Sequence, residues 1–360
     1  MVVVRHQSLG DSLAAYQLNR ALILHAANVH CGGGFALLKE LAATRNISFK
    51  WAQLDERTKG VLELPLAVTQ YHVRPSILSR LLAELRLWRN VTIDDVVLCF
   101  HGLPPLLPLS GRAVVFVQNR ILLEQGSLVD YPLKTRLRLL IERFWLRAMK
   151  GHASRYIVQT PSMAASLRTL LGDEVEICVL PFASLNTLLA TKKAVTVARK
   201  FDFLYVASGD AHKNHATLLE AWRLLAEAGL KPSLALTVDP LRHSSIHAEI
   251  LRVANDYSLS IVNLGQLSAD EVADLYQSSS ALIYPSKTES FGLPLIEAAQ
   301  YKLPILASEL DYVRDVVVPV ETFDPSSPVS IARAVRRFLG NAEPTVHIHS
   351  AEEFLAEVLR

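Results

Sequence analysis

Short, β-rich apolar runs alternate along this chain with longer stretches of helical period. That rhythm belongs to α/β proteins whose parallel strands are covered by helices on both faces. In the first half, strands are expected at Ala21–His25, Val96–Phe100, Ala113–Val117, Tyr156–Gln159 and Glu176–Leu180. Helices are expected at Phe35–Ala43, Ile77–Leu87, Lys134–Met149 and Pro161–Leu171. Thr160 stands as N-cap to the last of these, and Pro161 opens it at a position where a missing N–H costs nothing. A second series places strands at Phe203–Val206, Ser233–Thr237, Ile261–Leu264, Ala281–Tyr284 and Pro304–Ala307. Within it, Ser268-Ala-Asp-Glu271 reads as a capping box opening a helix that runs to about Gln277.

With 360 residues the chain has room for two domains, each burying its own core. The expected division is residues 1–183, a polar linker at 184–200, a second domain at 201–342, and a C-terminal helix in 343–360 packing back on the first domain. Lys and Arg number 37 against 35 Asp and Glu, so no overall field favours nucleic acid as a partner. The apolar runs end far short of the ~20 residues a membrane-spanning helix needs. The first apolar run is broken by Asn28, His30 and three glycines, which spoils it as a signal sequence. A cytoplasmic enzyme is expected. Cys31, Cys99 and Cys178 are too scattered for a disulfide framework or a zinc cluster, and no metal site is expected.

Open α/β sheets bind ligands beyond the carboxyl ends of their strands, so the loops that follow strands carry the candidate chemistry. The richest is Tyr284-Pro-Ser-Lys-Thr-Glu-Ser-Phe-Gly-Leu-Pro-Leu-Ile-Glu297, read as strand, turn and a helix beginning at Pro294. The amides of Phe291, Gly292 and Leu293, next to Ser290, then sit at a helix N-terminus, where free N–H groups and the dipole favour an anion. Glu289 lies on the loop and Glu297 one turn into the helix; a diphosphate flanked by ribose and sugar hydroxyls suits such a set. On the residues alone, an ordinary loop carboxylate and a solvated helix glutamate remain the alternative. A second loop, Gly209-Asp-Ala-His-Lys-Asn-His215, puts His212 and Lys213 close before a helix, where a cation needs an anionic partner. In the first half, Gly32, Gly33 and Gly34 follow a strand and permit close backbone approach to a phosphate, or simply a tight turn. His101 ends the strand Val96–Phe100, and Asn119 and Arg120 end the next.

The segment Glu-Ser-Phe-Gly-Leu-Pro-Leu-Ile-Glu resembles the donor-binding Glu-x7-Glu motif of glycosyltransferase family 4, the retaining group 1 enzymes of the GT-B fold. Leu303–Asp315 is similar to the strand and loop that follow it in that family, and Lys213-Asn214 resembles the family's phosphate-binding Lys-Asn pair. Where many relatives carry an arginine beside that lysine, this sequence has His212, with Asp210 nearby. The resemblance implies two Rossmann-like parallel-sheet domains facing a central cleft, the first binding the acceptor and the second the nucleotide sugar. It implies metal-independent transfer from a GDP-, UDP- or dTDP-linked sugar, with no resident cofactor, to a carbohydrate or lipid-linked saccharide acceptor. The expected setting is bacterial surface polysaccharide, lipopolysaccharide or O-antigen assembly.

In that reading Lys213, Gly209, His212 and the Ser290–Leu293 backbone hold the donor, with Gly32, Gly33 and Gly34 facing it. Glu297 takes the ribose, Glu289 the sugar hydroxyls, and His101 lies near the transferred sugar, while Asn119 and Arg120 meet the acceptor. Glu289, Lys213 and His101 form the expected catalytic set. A nucleotide-sugar epimerase of the same fold and a non-catalytic nucleotide-sugar-binding module are the competing readings. The cationic, aromatic segment Lys134–Lys150 suits either peripheral contact with an anionic membrane or ordinary packing on the first sheet.

Overall fold

The structure is a computed structural model that describes residues 21–44, 49–123, 133–182 and 198–342. The proposed linker, apart from residues 198–200, and the proposed C-terminal helix within 343–360 lie outside the described residues. Among the described residues the chain forms two compact units. One comprises 21–182 together with 288–301 and 311–317; the other comprises 198–287, 302–310 and 318–342.

The first unit carries a seven-stranded sheet of β1 (Leu22–Ala26), β2 (Phe49–Asp55), β3 (Thr69–Val73), β4 (Val96–Cys99), β5 (Arg112–Phe116), β6 (Arg155–Val158) and β7 (Ile177–Val179). Its order is β3-β2-β1-β4-β5-β6-β7, with parallel pairing throughout. Helices α1 (Gly32–Ala43), α2 (Ile77–Asn90), α3 (Leu133–Ala148) and α4 (Pro161–Leu171) cover it. Leu37, Leu38 and Ala42 of α1 belong to one core cluster, with Leu24, Ala52 and Leu54 of the sheet. Leu87 of α2, Leu139 and Leu146 of α3, and Met163 and Leu167 of α4 belong to the other, with Ile23, Val97 and Val115. Neighbouring strand residues point to opposite faces, so α1 lies on one side of the sheet and α2, α3 and α4 on the other.

The second sheet contains β8 (Phe201–Tyr205), β9 (Leu234–Leu236), β10 (Ile261–Asn263), β11 (Ser279–Tyr284), β12 (Ile305–Ser308) and β13 (Glu321–Phe323), ordered β10-β9-β8-β11-β12-β13 and again all parallel. The helices of this half of the sequence are α5 (His215–Glu227), α6 (Ser244–Asp256), α7 (Ala269–Ser278), α8 (Leu293–Gln300), α9 (Asp311–Arg314) and α10 (Pro328–Phe338). Trp222 of α5 is fully buried against the edge of the Phe203 ring, and its indole N–H donates to the Pro232 carbonyl, which spares the buried nitrogen a desolvation cost.

The helix starts follow from local chemistry. Thr160 accepts from the Met163 amide with Pro161 in the first turn of α4, and Ser268 and Glu271 close a reciprocal capping box on α7. The starts of α1 and α8 differ from expectation: α1 begins at Gly32, three residues before Phe35, and α8 begins at Leu293, one residue before Pro294, because Gly292 turns left-handed at φ +72° and serves as its N-cap. Strands β2, β3 and β13 were not anticipated. Among the described residues no helix is long and apolar enough to cross a membrane.

Candidate active site

Each sheet reverses its strand order once, between β1 and β4 in the first and between β8 and β11 in the second. At such a switch point the two following loops diverge to opposite faces and leave a crevice for ligand. The sequence-expected residues follow those strands: Gly32–Gly34 form the first turn of α1 and not a loop before it, His101 follows β4, Gly209–Lys213 follow β8, and Glu289–Glu297 runs from the segment after β11 into α8.

In the second unit the loop after β8 is fixed from beneath. The buried Tyr205 hydroxyl donates to the Lys213 carbonyl at 2.7 Å and pairs with Ser286 Oγ at 3.0 Å. Having a single proton, it must accept from the serine. The Lys287 amide donates to the His212 carbonyl at 2.8 Å. Asn214 sits left-handed at φ 62°, and its buried side-chain amide donates to the Pro285 and Pro325 carbonyls at 3.0 and 2.7 Å. Lys213, its side chain half-buried, therefore rides on a loop bonded to the loops after β11 and β13; it closes a single 3₁₀ turn and does not open α5, which begins at His215.

Burial disfavours the Asp210 carboxylate, but the Ser208 hydroxyl and the nearby His212, His243 and Lys213 outweigh it and lower its pKa. His243, from the segment after β9, was not anticipated. A Cβ added to Gly209 would lie 2.5 Å from His243 Cβ, so the glycine is what lets that ring pack over the loop. Gly209→Ala is expected to displace His243 and cost about 1–3 kcal/mol, read as a lowered urea midpoint with unchanged slope.

His215 opens α5 with its Nε2–H donating to the Ser208 carbonyl at 2.8 Å, and its buried Nδ1 has no partner. Burial pushes its pKa down to about 4. The unfolded chain protonates near 6.5, so the native state has its full advantage above that pH and loses it as pH falls toward 4. About 3 kcal/mol of stability is expected to disappear across this window. Urea unfolding at stepped pH should show the slope, and His215→Gln should flatten it.

On the segment after β11, Glu289 and Ser290 are half-buried, while Phe291 and Gly292 are buried. A Cβ on Gly292 would meet Leu295 Cδ1 at 3.0 Å in addition to the strain of its positive φ. No side chain caps α8, Pro294 has no N–H, and the Leu295 amide donates to the Gly292 carbonyl at 2.9 Å. Glu297 is half-buried in the second turn.

In the first unit Gly32 adopts φ +69° at the start of α1, and no side chain caps that helix. A Cβ on Gly34 would come within 2.8 Å of Gln118 Oε1. His101 is half-buried, and its Nδ1 lies 3.4 Å from the His25 carbonyl. A carbonyl only accepts, so Nδ1 carries the proton and Nε2 keeps its lone pair. Burial, with His25 and Arg80 nearby, drives the His101 pKa well below the ordinary value and keeps the ring neutral.

Behind it stands a group not anticipated from sequence. The His25 ring meets that of His101 edge-on at 4.5 Å, and His25 Nε2 lies 3.1 Å from Glu84 Oε1. Glu84 Oε2 accepts from the Leu106 amide at 2.8 Å. The ligating atoms of His25, Glu84 and His101 lie within 4.8 Å of one another, a donor set that suits a divalent cation as well as the hydrogen bonds present. Asn119 caps the 3₁₀ turn at Arg120–Leu122, and the Arg120 guanidinium donates to Ser162 Oγ at 2.9 Å.

Residues 190–352 match the family model described as "Glycosyl transferases group 1". A serotype-specific mannosyltransferase WbdA of Escherichia coli is 27% identical over a stretch covering 57% of this chain and 28% of that protein, so the chain spans well under a third of this curated relative. Among solved structures, a sucrose-phosphate synthase from Thermosynechococcus elongatus superposes with a TM-score of 0.65 at 16% identity over 90% of each chain. Anabaena HepE, solved with UDP and glucose, gives 0.62 at 14% identity, covering 88% of this chain and 89% of that one. These neighbours share the GT-B fold of two Rossmann-like domains, and the match of residues 190–352 to the group 1 glycosyl transferases covers somewhat less than half of the chain.

Proposed function

We propose that this protein is a retaining glycosyltransferase that moves a sugar from a nucleotide-linked donor to an acceptor hydroxyl in bacterial surface polysaccharide assembly. The observation that carries the reading is topological. The loops bearing Lys213 and the Glu289–Glu297 segment leave adjacent strands, β8 and β11, at the one point where the second sheet reverses. In this reading Lys213 and the amides of Phe291, Gly292 and Leu293 take the donor diphosphate, Glu297 the ribose and Glu289 the sugar hydroxyls.

Negative charge grows on the departing phosphate as the sugar becomes oxocarbenium-like, so donors fixed in advance around that phosphate are the main catalytic contribution. Neutral His101 offers an Nε2 lone pair to a sugar hydroxyl, and the Glu289 carboxylate supports the positive ring. No metal is required for these roles. GDP-mannose is the first donor to try, since WbdA is a mannosyltransferase, and UDP-linked sugars are the second, since HepE was solved with UDP and glucose.

Thermal unfolding in the presence of GDP-, UDP- and dTDP-linked sugars tests the proposal, because a ligand that binds only the native state raises the melting temperature. A shift with one nucleotide class, followed by label transfer to an acceptor with the anomeric configuration kept, is expected. Inversion at that carbon overturns the retaining mechanism. An epimerised free sugar nucleotide without acceptor product overturns the transferase reading, and a shift with no turnover toward any saccharide acceptor leaves the binding module in its place.

A further inference from the structure

Helices α2 and α3 bury one apolar face in the core and present a second one to solvent. Each buries a glutamate toward the sheet, Glu84 at 4% exposed and Glu142 at 8%, while Ile77 and Phe144 stand 82% and 70% exposed. On α2 the outward stripe continues through Leu78, Leu81, Leu82 and Trp88; on α3 it runs Leu133, Leu137, Leu140, Ile141 and Phe144. These positions recur at three- and four-residue intervals, so each helix has a second apolar face besides the one in the core.

The two faces are neighbours. Both helices pack on the same side of the first sheet through Leu87, Leu139 and Leu146. Arg80 of α2 lies close enough to Glu142 of α3 to favour its charged form, against the burial that raises its pKa. Between the helices, one loop is pinned to both: the Leu106 amide donates to Glu84, and Trp145 Nε1 donates to the Pro104 carbonyl at 2.9 Å.

The charge on this surface has one sign. Helix α3 carries Lys134, Arg136, Arg138, Arg143 and Arg147 against Glu142 alone, and α2 carries Arg80, Arg86 and Arg89 against Glu84 alone. Because both glutamates are buried, no acidic side chain of either helix is exposed, whereas Arg89, Lys134, Arg138 and Arg147 are. An apolar stripe flanked by cations complements an anionic lipid surface: the alkyl and aromatic groups enter the boundary of the acyl chains while the cations meet the phosphates. A protein partner or a second copy would need exposed acidic groups facing these cations, and neither helix supplies them for a self-contact.

We propose that the outward faces of α2 and α3 dock this protein on an anionic bilayer, with Leu140, Ile141 and Phe144 as the inserting group and Lys134, Arg138 and Arg147 as the phosphate-facing one. The inference does not depend on the sugar-transfer reading, since it rests on this surface alone.

Flotation of the full chain with vesicles of phosphatidylglycerol and phosphatidylcholine in equal parts, against vesicles of phosphatidylcholine alone, tests it. Binding is expected only to the anionic vesicles and is expected to weaken strongly at about 0.5 M salt, where charges are screened within a few ångströms. Leu140→Ser with Ile141→Ser and Phe144→Ser should reduce binding at least about 10-fold, and Arg147→Gln roughly 5-fold. All four side chains are exposed, so the core is untouched, and unchanged melting temperatures confirm folded variants. Equal binding to neutral vesicles, a triple variant that floats like the parent, or a concentration-dependent dimer abolished by the triple variant in a protein that does not float would each overturn the proposal.

Discussion

Lys213→Ala is expected to lower kcat by roughly 10²–10³-fold while leaving the melting temperature near that of the parent. The two halves of this expectation have separate physical grounds. The backbone of residue 213 is held by the Tyr205 hydroxyl, and its neighbours His212 and Asn214 are bonded to the loops after β11 and β13. None of these bonds uses the lysine side chain, so they survive its removal. Under the proposed function, what is lost is a cation where the leaving diphosphate gathers charge, an interaction worth more in the transition state than with the bound donor. Steady-state kinetics at saturating donor provide the measurement. Lys213→Arg should recover part of the rate, and an alanine variant with parental kcat would remove Lys213 from the catalytic set.

Glu84→Ala is expected to destabilise the first unit by about 3–5 kcal/mol, the usual result of removing one partner from a buried charged or hydrogen-bonded pair. The carboxylate accepts from the Leu106 amide and faces His25 Nε2, and alanine leaves both without a partner inside the protein. Glu84→Gln keeps an acceptor oxygen for one of them and should cost appreciably less. Urea unfolding at neutral pH distinguishes the three proteins. Because His101 bonds to the backbone carbonyl of His25, the glutamine variant should also lose part of kcat through poorer placement of its ring, with the donor KM changed little.

How far the sequence could be read depended on how local each signal is. The segment from Glu289 to Glu297 was legible because a strand end, a left-handed glycine and a helix start follow one another within a dozen residues. The helix starts at Thr160 and Ser268 were legible for the same reason, since a cap is a three-residue event. Strand β2 was missed because its sequence, Phe49 to Asp55, places Gln53 and Asp55 in the interior. Those polar groups are tolerated only because Gln53 donates to the Ala83 carbonyl and accepts from Arg86, and Asp55 is paired with Arg57. Periodicity cannot register partners that arrive from a helix thirty residues away. Strand β3 lies at the sheet edge, where alternate residues are solvated, and β13 is three residues long.

The group behind His101 was out of reach for a stronger reason. His25 and Glu84 are 59 residues apart, and His101 approaches a carbonyl 76 residues before it. Only the placement of β1 beside β4 brings them together. A histidine within the otherwise apolar run Leu22–Ala26 and a glutamate amid the leucines of α2 were the available hints, and neither named its partner. His243 escaped likewise, since its place over Gly209 follows from the packing of β8 beside β9.

Asn214 has an effect that outlasts its own bonds. By tying the turn that carries Lys213 to two other loops at once, it makes three separate connections move as one block. Under the proposed function, a phosphate arriving there meets a lysine whose backbone is already held, so less disorder is given up to engage it. In that case recognition draws on stiffness built in during folding, without ordering of the loop backbone at the moment of contact.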